Sequence, residues 1–388
     1  MASQPRLTNA ALDRVLAPLT PTRLGGALWA CLALALAGGV LQVILSAPSP
    51  DWGNDFVAFW SAARMIVEGR PLEMFDAAAF ERLQLQVGGA DGEVLLWHYP
   101  PLWPALLTPL GFLADDTALL LFTVIGLIAW IAAIRALFPA LSPARLGLIC
   151  LGGATWVTLG QGQNGLFTGA AFALGTLGLL DNKPVAAAIG AGLLMAIKPH
   201  LGLVLPLAML ARRDWTMLGA TILVTALSSL AALTVVSRGY ITELLSGSDR
   251  LSAPLGSDAL LTQLTSLYGA LRLWGVPLTP ALTIAIVQAL AVLAAVAYVF
   301  ARPFDRLTRG ATLAIAAPMI SPYLFHYDLT PMLLAFGFLA LRGAPMAILG
   351  LLWFAPLFHR PLADLTGIPL VPIVLLAALV LTLRRKAL

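Results

Sequence analysis

Five short polar clusters interrupt a chain that is otherwise mostly apolar. The first, Asp51-Trp52-Gly53-Asn54-Asp55-Phe56-Val57-Ala58-Phe59-Trp60, holds two carboxylates four residues apart. An aspartate among aromatic rings at a membrane surface is desolvated enough to serve as a general base. The plain alternative for Asp51 and Asp55 is a helix cap or solvated surface. His98-Tyr99-Pro100-Pro101 is an extended turn stiffened by its prolines, with Tyr99 either a site residue or an interface anchor. Gly160-Gln161-Gly162-Gln163-Asn164-Gly165 combines a tight reversal with amides suited to sugar hydroxyls or phosphate oxygens, or is simply a hairpin turn. Lys198-Pro199-His200 places a cation between two apolar runs, which is costly unless the lysine is paired, lies in a wet cavity or snorkels to the interface. Ser321-Pro322-Tyr323-Leu324-Phe325-His326-Tyr327-Asp328 sets His326 and Asp328 among aromatics.

The elements that position these residues belong to a membrane. Of the 388 residues, 60% are hydrophobic and 11% are charged, and the mean hydropathy is +0.90. Soluble domains carry about 25% charged residues, so this composition excludes a soluble enzyme, a disordered chain and a nucleic-acid reader, despite a pI near 9.3. Cys31 and Cys150 both lie in apolar runs and offer no disulfide framework or thiolate metal site. Apolar runs at about 25–46, 116–138, 145–160, 164–180, 184–198, 199–211, 215–237, 279–300, 310–322, 328–341, 344–358 and 366–383 predict an all-α polytopic membrane protein of about twelve spans. The first run is longer than a signal-peptide core and reads as an uncleaved anchor. Lys198-Pro199 divides the 184–211 run, and either a hairpin or a kink fits there.

Charge then sets the sides. With the N-terminal segment 1–24 in the cytoplasm and strict alternation, the inner side holds 15 of the 23 basic residues and four of the 19 acidic ones, a net of +11 against −7 outside. That asymmetry follows the positive-inside rule. It puts both termini in the cytoplasm and all five polar clusters outside, within external loops at about 47–115 and 238–278 and the shorter outer turns. Segment 102–113 is too short to cross and is expected to dip in from, or lie along, the outer face. Residues 55–68 read as an amphipathic helix capped by Asp51 or Asn54 and stopped at Gly69. Its stripe of Trp52, Phe56, Phe59, Trp60 and Ala63 suits a helix in the headgroup layer.

Asp55-Phe56 through Glu68-Gly69, Tyr99-Pro100-Pro101, Gly162-Gln163-Asn164, Lys198-Pro199 and Ser321-Pro322 with His326-Tyr327 together resemble glycosyltransferase family 87. These are membrane transferases of the GT-C type that use polyprenyl-phosphate sugars. The resemblance implies a GT-C-type helical bundle over 25–388. It also implies an inverting transfer of a hexose such as mannose to an acceptor hydroxyl on a glycan or glycolipid, at the extracytoplasmic face of a bacterial inner membrane. Asp55 would be the general base, although the second acid, Asp51, departs from the family pattern and leaves either aspartate open for that role. Lys198, His200 and His326 would meet the donor phosphate, and Tyr99, Gln161, Gln163 and Asn164 would contact substrate. Asp51, His98 and Asp328 are further candidate substrate contacts particular to this sequence. The lipid-phosphate sugar is a co-substrate, and neither a metal nor another cofactor is expected. The alternative is a transporter or flippase of lipid-linked sugars. Such proteins carry ionisable groups near the midplane and often inverted repeats, and neither feature is visible in this sequence.

Overall fold

The computed structural model describes residues 53–87, 95–247 and 260–384. Asp51, Cys31, the first apolar run and segment 1–24 lie outside the described residues. Within them the regular structure is helical, with an isolated antiparallel bridge between Leu264 and Phe325.

The segment before the first long apolar helix contributes α1 (Phe56–Val67), α2 (Ala77–Gln86) and α3 (Leu102–Leu107). The bundle follows as α4 (Asp115–Leu137), α5 (Pro143–Cys150), α6 (Gly153–Gln161), α7 (Gly165–Leu180), α8 (Pro184–Ile197), α9 (Pro199–Gly202), α10 (Val204–Ala211) and α11 (Trp215–Val236). After α12 (Tyr240–Ser246) and α13 (Leu267–Leu273), it is completed by α14 (Leu278–Ala301), α15 (Arg306–Met319), α16 (Thr330–Leu341), α17 (Met346–Thr366) and α18 (Leu370–Arg384).

Four of these, α4, α11, α14 and α17, are long and apolar enough to cross a membrane. Leucines and isoleucines along them are exposed, such as Leu120 and Ile128 of α4 and Leu223 and Leu230 of α11. The other expected spans that fall on described residues coincide with shorter helices; α7 has 16 residues and α16 has 12. At 1.5 Å per residue these fall short of a hydrocarbon layer about 30 Å thick. Their burial gives the reason: α15 and α16 are enclosed almost along their whole lengths, so protein rather than lipid sets their length. Among the described residues the structure thus supports a polytopic membrane protein with four evident spans; it does not confirm the expected count of twelve, the first of which lies outside those residues.

The 184–211 run is a hairpin. Gly175 of α7 packs against Ala191 of α8 and also against Leu205 of α10. A continuous helix would separate those two residues by about 21 Å. Lys198 leaves helical geometry at φ −138°, ψ 79°, and Arg212 at the far end of α10 returns to donate to Leu179 O and Asn182 Oδ1, beside the start of α8.

The same logic separates the two ends of the bundle. At one end, Arg306 donates to Asp181 and to Leu137 O, Phe138 packs on Phe338, and Arg342 donates to Thr382 O. At the other, Gly53 meets Gly160, Thr265 N donates to Leu324 O, and His359 Nε2 donates to Leu264 O. His359 also accepts from Val371 N through Nδ1, so it ties α17 to α18 and to the 260–266 segment.

Helices α7 and α8 touch backbone to backbone. A Cβ on Gly190 would lie 2.1 Å from Gly175 N and 2.6 Å from Ala171 O. Gly190→Ala is therefore expected to destabilise the bundle by about 1–3 kcal/mol through overpacking. Gly219→Ala in α11, where nothing lies within 4 Å, should leave the melting temperature in detergent unchanged or raise it.

Candidate active site

The polar end is organised around the start of α1. Asp55 occupies the N-cap position, yet its side chain caps nothing. Asp51, one of the two residues expected to cap this helix, lies outside the described residues, and the N-cap position itself is taken by Asp55. The α6–α7 turn holds this corner instead. Gly160 O accepts from Gly53 N at 2.7 Å, Gln161 O accepts from Asp55 N at 3.0 Å, and Gln163 Nε2 donates to Asp55 Oδ2 at 2.8 Å. Gly162 makes the approach possible: it adopts φ +68°, and a Cβ there would come within 2.9 Å of Gly53 and Phe56.

The aromatic stripe of α1 faces protein, not the headgroup layer. Phe56, Phe59, Trp60 and Ala63 are all buried. Phe59 packs T-shaped against Tyr99 at 5.3 Å and Trp103 at 5.4 Å, and Phe56 meets Phe122 of α4 at 5.0 Å. A turn of 3-10 helix at Thr108–Phe112 presses Gly111 onto the Ala63 carbonyl. Helical periodicity alone cannot distinguish such a partner from lipid. Segment 102–113, expected to dip from or lie along the outer face, is packed between α1 and α11.

Tyr99 joins the two halves of the site. Its hydroxyl donates to Gln163 Oε1 at 3.2 Å. Its backbone carbonyl accepts from Tyr240 OH at 2.8 Å, and that hydroxyl in turn accepts from Trp97 Nε1. On its far side, Lys198 Nζ stands 5.6 Å from the Tyr99 ring centre and 5.1 Å from that of Tyr327. Lys198 is 5% exposed and forms a 2.5 Å ion pair with Asp328, which is 2% exposed. A buried charge is tolerated only when paired, and Asp328 is the partner that the lysine needs. The pairing gives Asp328 a holding role beside its expected contact with substrate.

The remaining sites predicted from sequence fall around this centre. His98 is exposed, stacks on Tyr99 at 5.0 Å and donates from Nδ1 to Leu96 O. His200 is an electrostatic neighbour of Lys198, Asp328 and His98, and its Nε2 is buried with no hydrogen-bond partner. Asn164 is fully buried with both side-chain amide atoms unpartnered. Gln161 serves this corner through its carbonyl. His326 is directed elsewhere: it neighbours Gln263, His359 and Arg360, and shares Asp328 with the lysine cluster. Tyr327 was not among the expected site residues. It is fixed by Thr158, whose hydroxyl donates to Tyr327 O at 2.9 Å. Its place between His326 and Asp328 was the available signal.

The 260–266 segment closes the site from another side, with Thr265 N donating to Leu324 O and Ser266 Oγ to Pro322 O.

Comparison with curated proteins and with solved structures yields no match. The sequence pattern of glycosyltransferase family 87 matches residues 97–322, more than half of the chain. The matched stretch carries Tyr99, Gln161, Gln163, Asn164, Lys198 and His200, while Asp55, His326 and Asp328 lie outside it and join the site through the fold. The chain belongs to glycosyltransferase family 87.

Proposed function

We propose that this glycosyltransferase moves a hexose such as mannose from a polyprenyl-phosphate donor to an acceptor hydroxyl on a glycan or glycolipid, at the extracytoplasmic face of the membrane. Asp55 removes the acceptor proton as that oxygen attacks the anomeric carbon from the face opposite the phosphate. The sugar–phosphate bond breaks, the lipid monophosphate leaves with the bonding electrons, and the anomeric configuration inverts. The reading is supported by a single arrangement: the Asp55 carboxylate, reached through Gln163, and the buried Lys198 ammonium stand on either side of Tyr99 at one end of the bundle.

An ammonium has three donors, and Asp328 takes one of Lys198's. The others serve the charge developing on the leaving phosphate, a form of electrostatic stabilisation that is strong where water is excluded. His200, whose Nε2 has no other partner, adds a donor, whereas the ring N–H of His326 is spent on the Gln263 backbone. No nucleotide or nucleic acid takes part.

The direct test is product mass spectrometry on membranes supplied with polyprenyl-phosphate mannose or polyprenyl-phosphate glucose. One donor is expected to yield a new glycoside of inverted configuration and free polyprenyl phosphate. Loss of neither donor, compared with membranes lacking the protein, would refute the donor class.

Sidedness has its own test, in a background without Cys31 and Cys150. A cysteine at Arg82 of α2 should react with a membrane-impermeant maleimide from outside intact cells, and one at Arg213 should not. Both positions are exposed, so equal labelling would contradict the outward-facing site.

A further inference from the structure

Gln163 is 8% exposed and uses both ends of its amide. Its Oε1 receives the Tyr99 hydroxyl at 3.2 Å and the backbone N–H of Asn164 at 3.3 Å. A backbone N–H can only donate, so the atom facing it must be the oxygen. The opposite end is therefore the NH2 group, and it donates to Asp55 Oδ2 at 2.8 Å. A carboxylate that receives such a donor is held in its ionised form. The main chain reinforces this order, because Asp55 N is bound by Gln161 O, from the same turn.

We infer that Gln163 is a positioning residue for the general base: oriented by Tyr99 and Asn164, its amide keeps the Asp55 carboxylate ionised and fixes which way it points. The inference rests on the reading of Asp55 as base. It moves Gln163 and the Tyr99 hydroxyl from substrate contact to the support of a catalytic group. Tyr99 is itself clamped by Tyr240, by the Phe59 ring and by the stacked His98 ring, so the order runs inward from a rigid aromatic wall.

Among the described residues, the phenols of Tyr99 and Tyr327 are electrostatic neighbours of Asp55, with the Lys198–Asp328 pair beyond the rings. Burial pushes both phenols well above their ordinary range. They stay protonated while a carboxylate titrates, so an acid limb in the rate profile belongs to Asp55 rather than to them.

The experiment is a pH–rate profile of the full-length protein in membranes, with polyprenyl-phosphate mannose as the probe donor and release of polyprenyl phosphate as the readout. Gln163→Leu should lower kcat by about 10- to 100-fold, leave the donor KM within about threefold, and move the acid limb upward by roughly one pH unit. Gln163→Glu should move the limb further up, because two carboxylates at this separation share a proton. Tyr99→Phe, which keeps the ring and its packing, should move the limb the same way by less. Adding it to Gln163→Leu should cost little more, since coupled residues are not additive.

An acid limb unmoved in Gln163→Leu and Tyr99→Phe, or a raised KM at unchanged kcat, overturns the inference and returns both residues to substrate contact. Asp55→Asn separates this from failure of the underlying reading. An active Asp55→Asn protein removes the base itself, whereas an inactive one beside an unmoved Gln163→Leu limb removes the positioning role alone.

Discussion

Asp55→Asn is expected to reduce sugar transfer by about 10²- to 10⁴-fold while leaving the protein folded. The size follows from the contribution of a positioned general base. The folding expectation follows from geometry. Asparagine has nearly the same shape, its side-chain oxygen still accepts from Gln163 Nε2, and no cap is lost because the native carboxylate makes none. Only the capacity to take a proton disappears. Initial rates in membranes, read beside the melting temperature of the purified variant, separate these effects. A variant that melts like the native protein and turns over donor at the native rate would exclude Asp55 as the base.

The second large effect concerns the buried ion pair. Lys198→Met leaves Asp328 as an uncompensated charge in an enclosed site, which costs about 3–5 kcal/mol. A marked fall in melting temperature is therefore expected, together with loss of donor turnover. Lys198→Met combined with Asp328→Leu removes both charges at similar volume and should recover most of the stability. Its turnover should stay low, because the phosphate has lost its cation. Recovery of melting temperature without recovery of rate is the outcome that assigns Lys198 to the donor phosphate. A double variant with native turnover would assign the lysine to structure alone.

The apolar runs located the helices well. The expected spans 116–138, 215–237 and 279–300 differ by a residue or two from Asp115–Leu137, Trp215–Val236 and Leu278–Ala301. Long uninterrupted hydrophobicity has one stable solution in lipid, a helix that satisfies its own backbone. The number of crossings was less legible. A short apolar helix buried in protein and one facing lipid have similar composition, and only packing distinguishes α15 and α16 from α4.

The polar clusters were visible as positions but not as pairs. Lys198 and Asp328 are 130 residues apart, and Gln163 and Asp55 are 108 apart. Nothing in either local spacing specifies the partner. His326 shows the opposite failure: a histidine next to the site in sequence faces Gln263 and Arg360. The aromatic stripe of α1 had a real helical period, but its partner, the 97–112 segment, could not be read from that period.

The hairpin of α8 and α10 bears on how deep the chemistry lies. Its first arm has 14 residues and so rises about 21 Å from the basic end. A hydrocarbon layer is about 30 Å thick. If the basic end rests at one interface, the backbone at Lys198 stops about 9 Å short of the other. The bilayer must then thin locally, or water must descend to that level, as mismatch between short elements and lipid requires. On the proposed function, a lipid-borne phosphate reaching this lysine would sink rather than rise, and an acceptor would enter through a depression in the membrane surface.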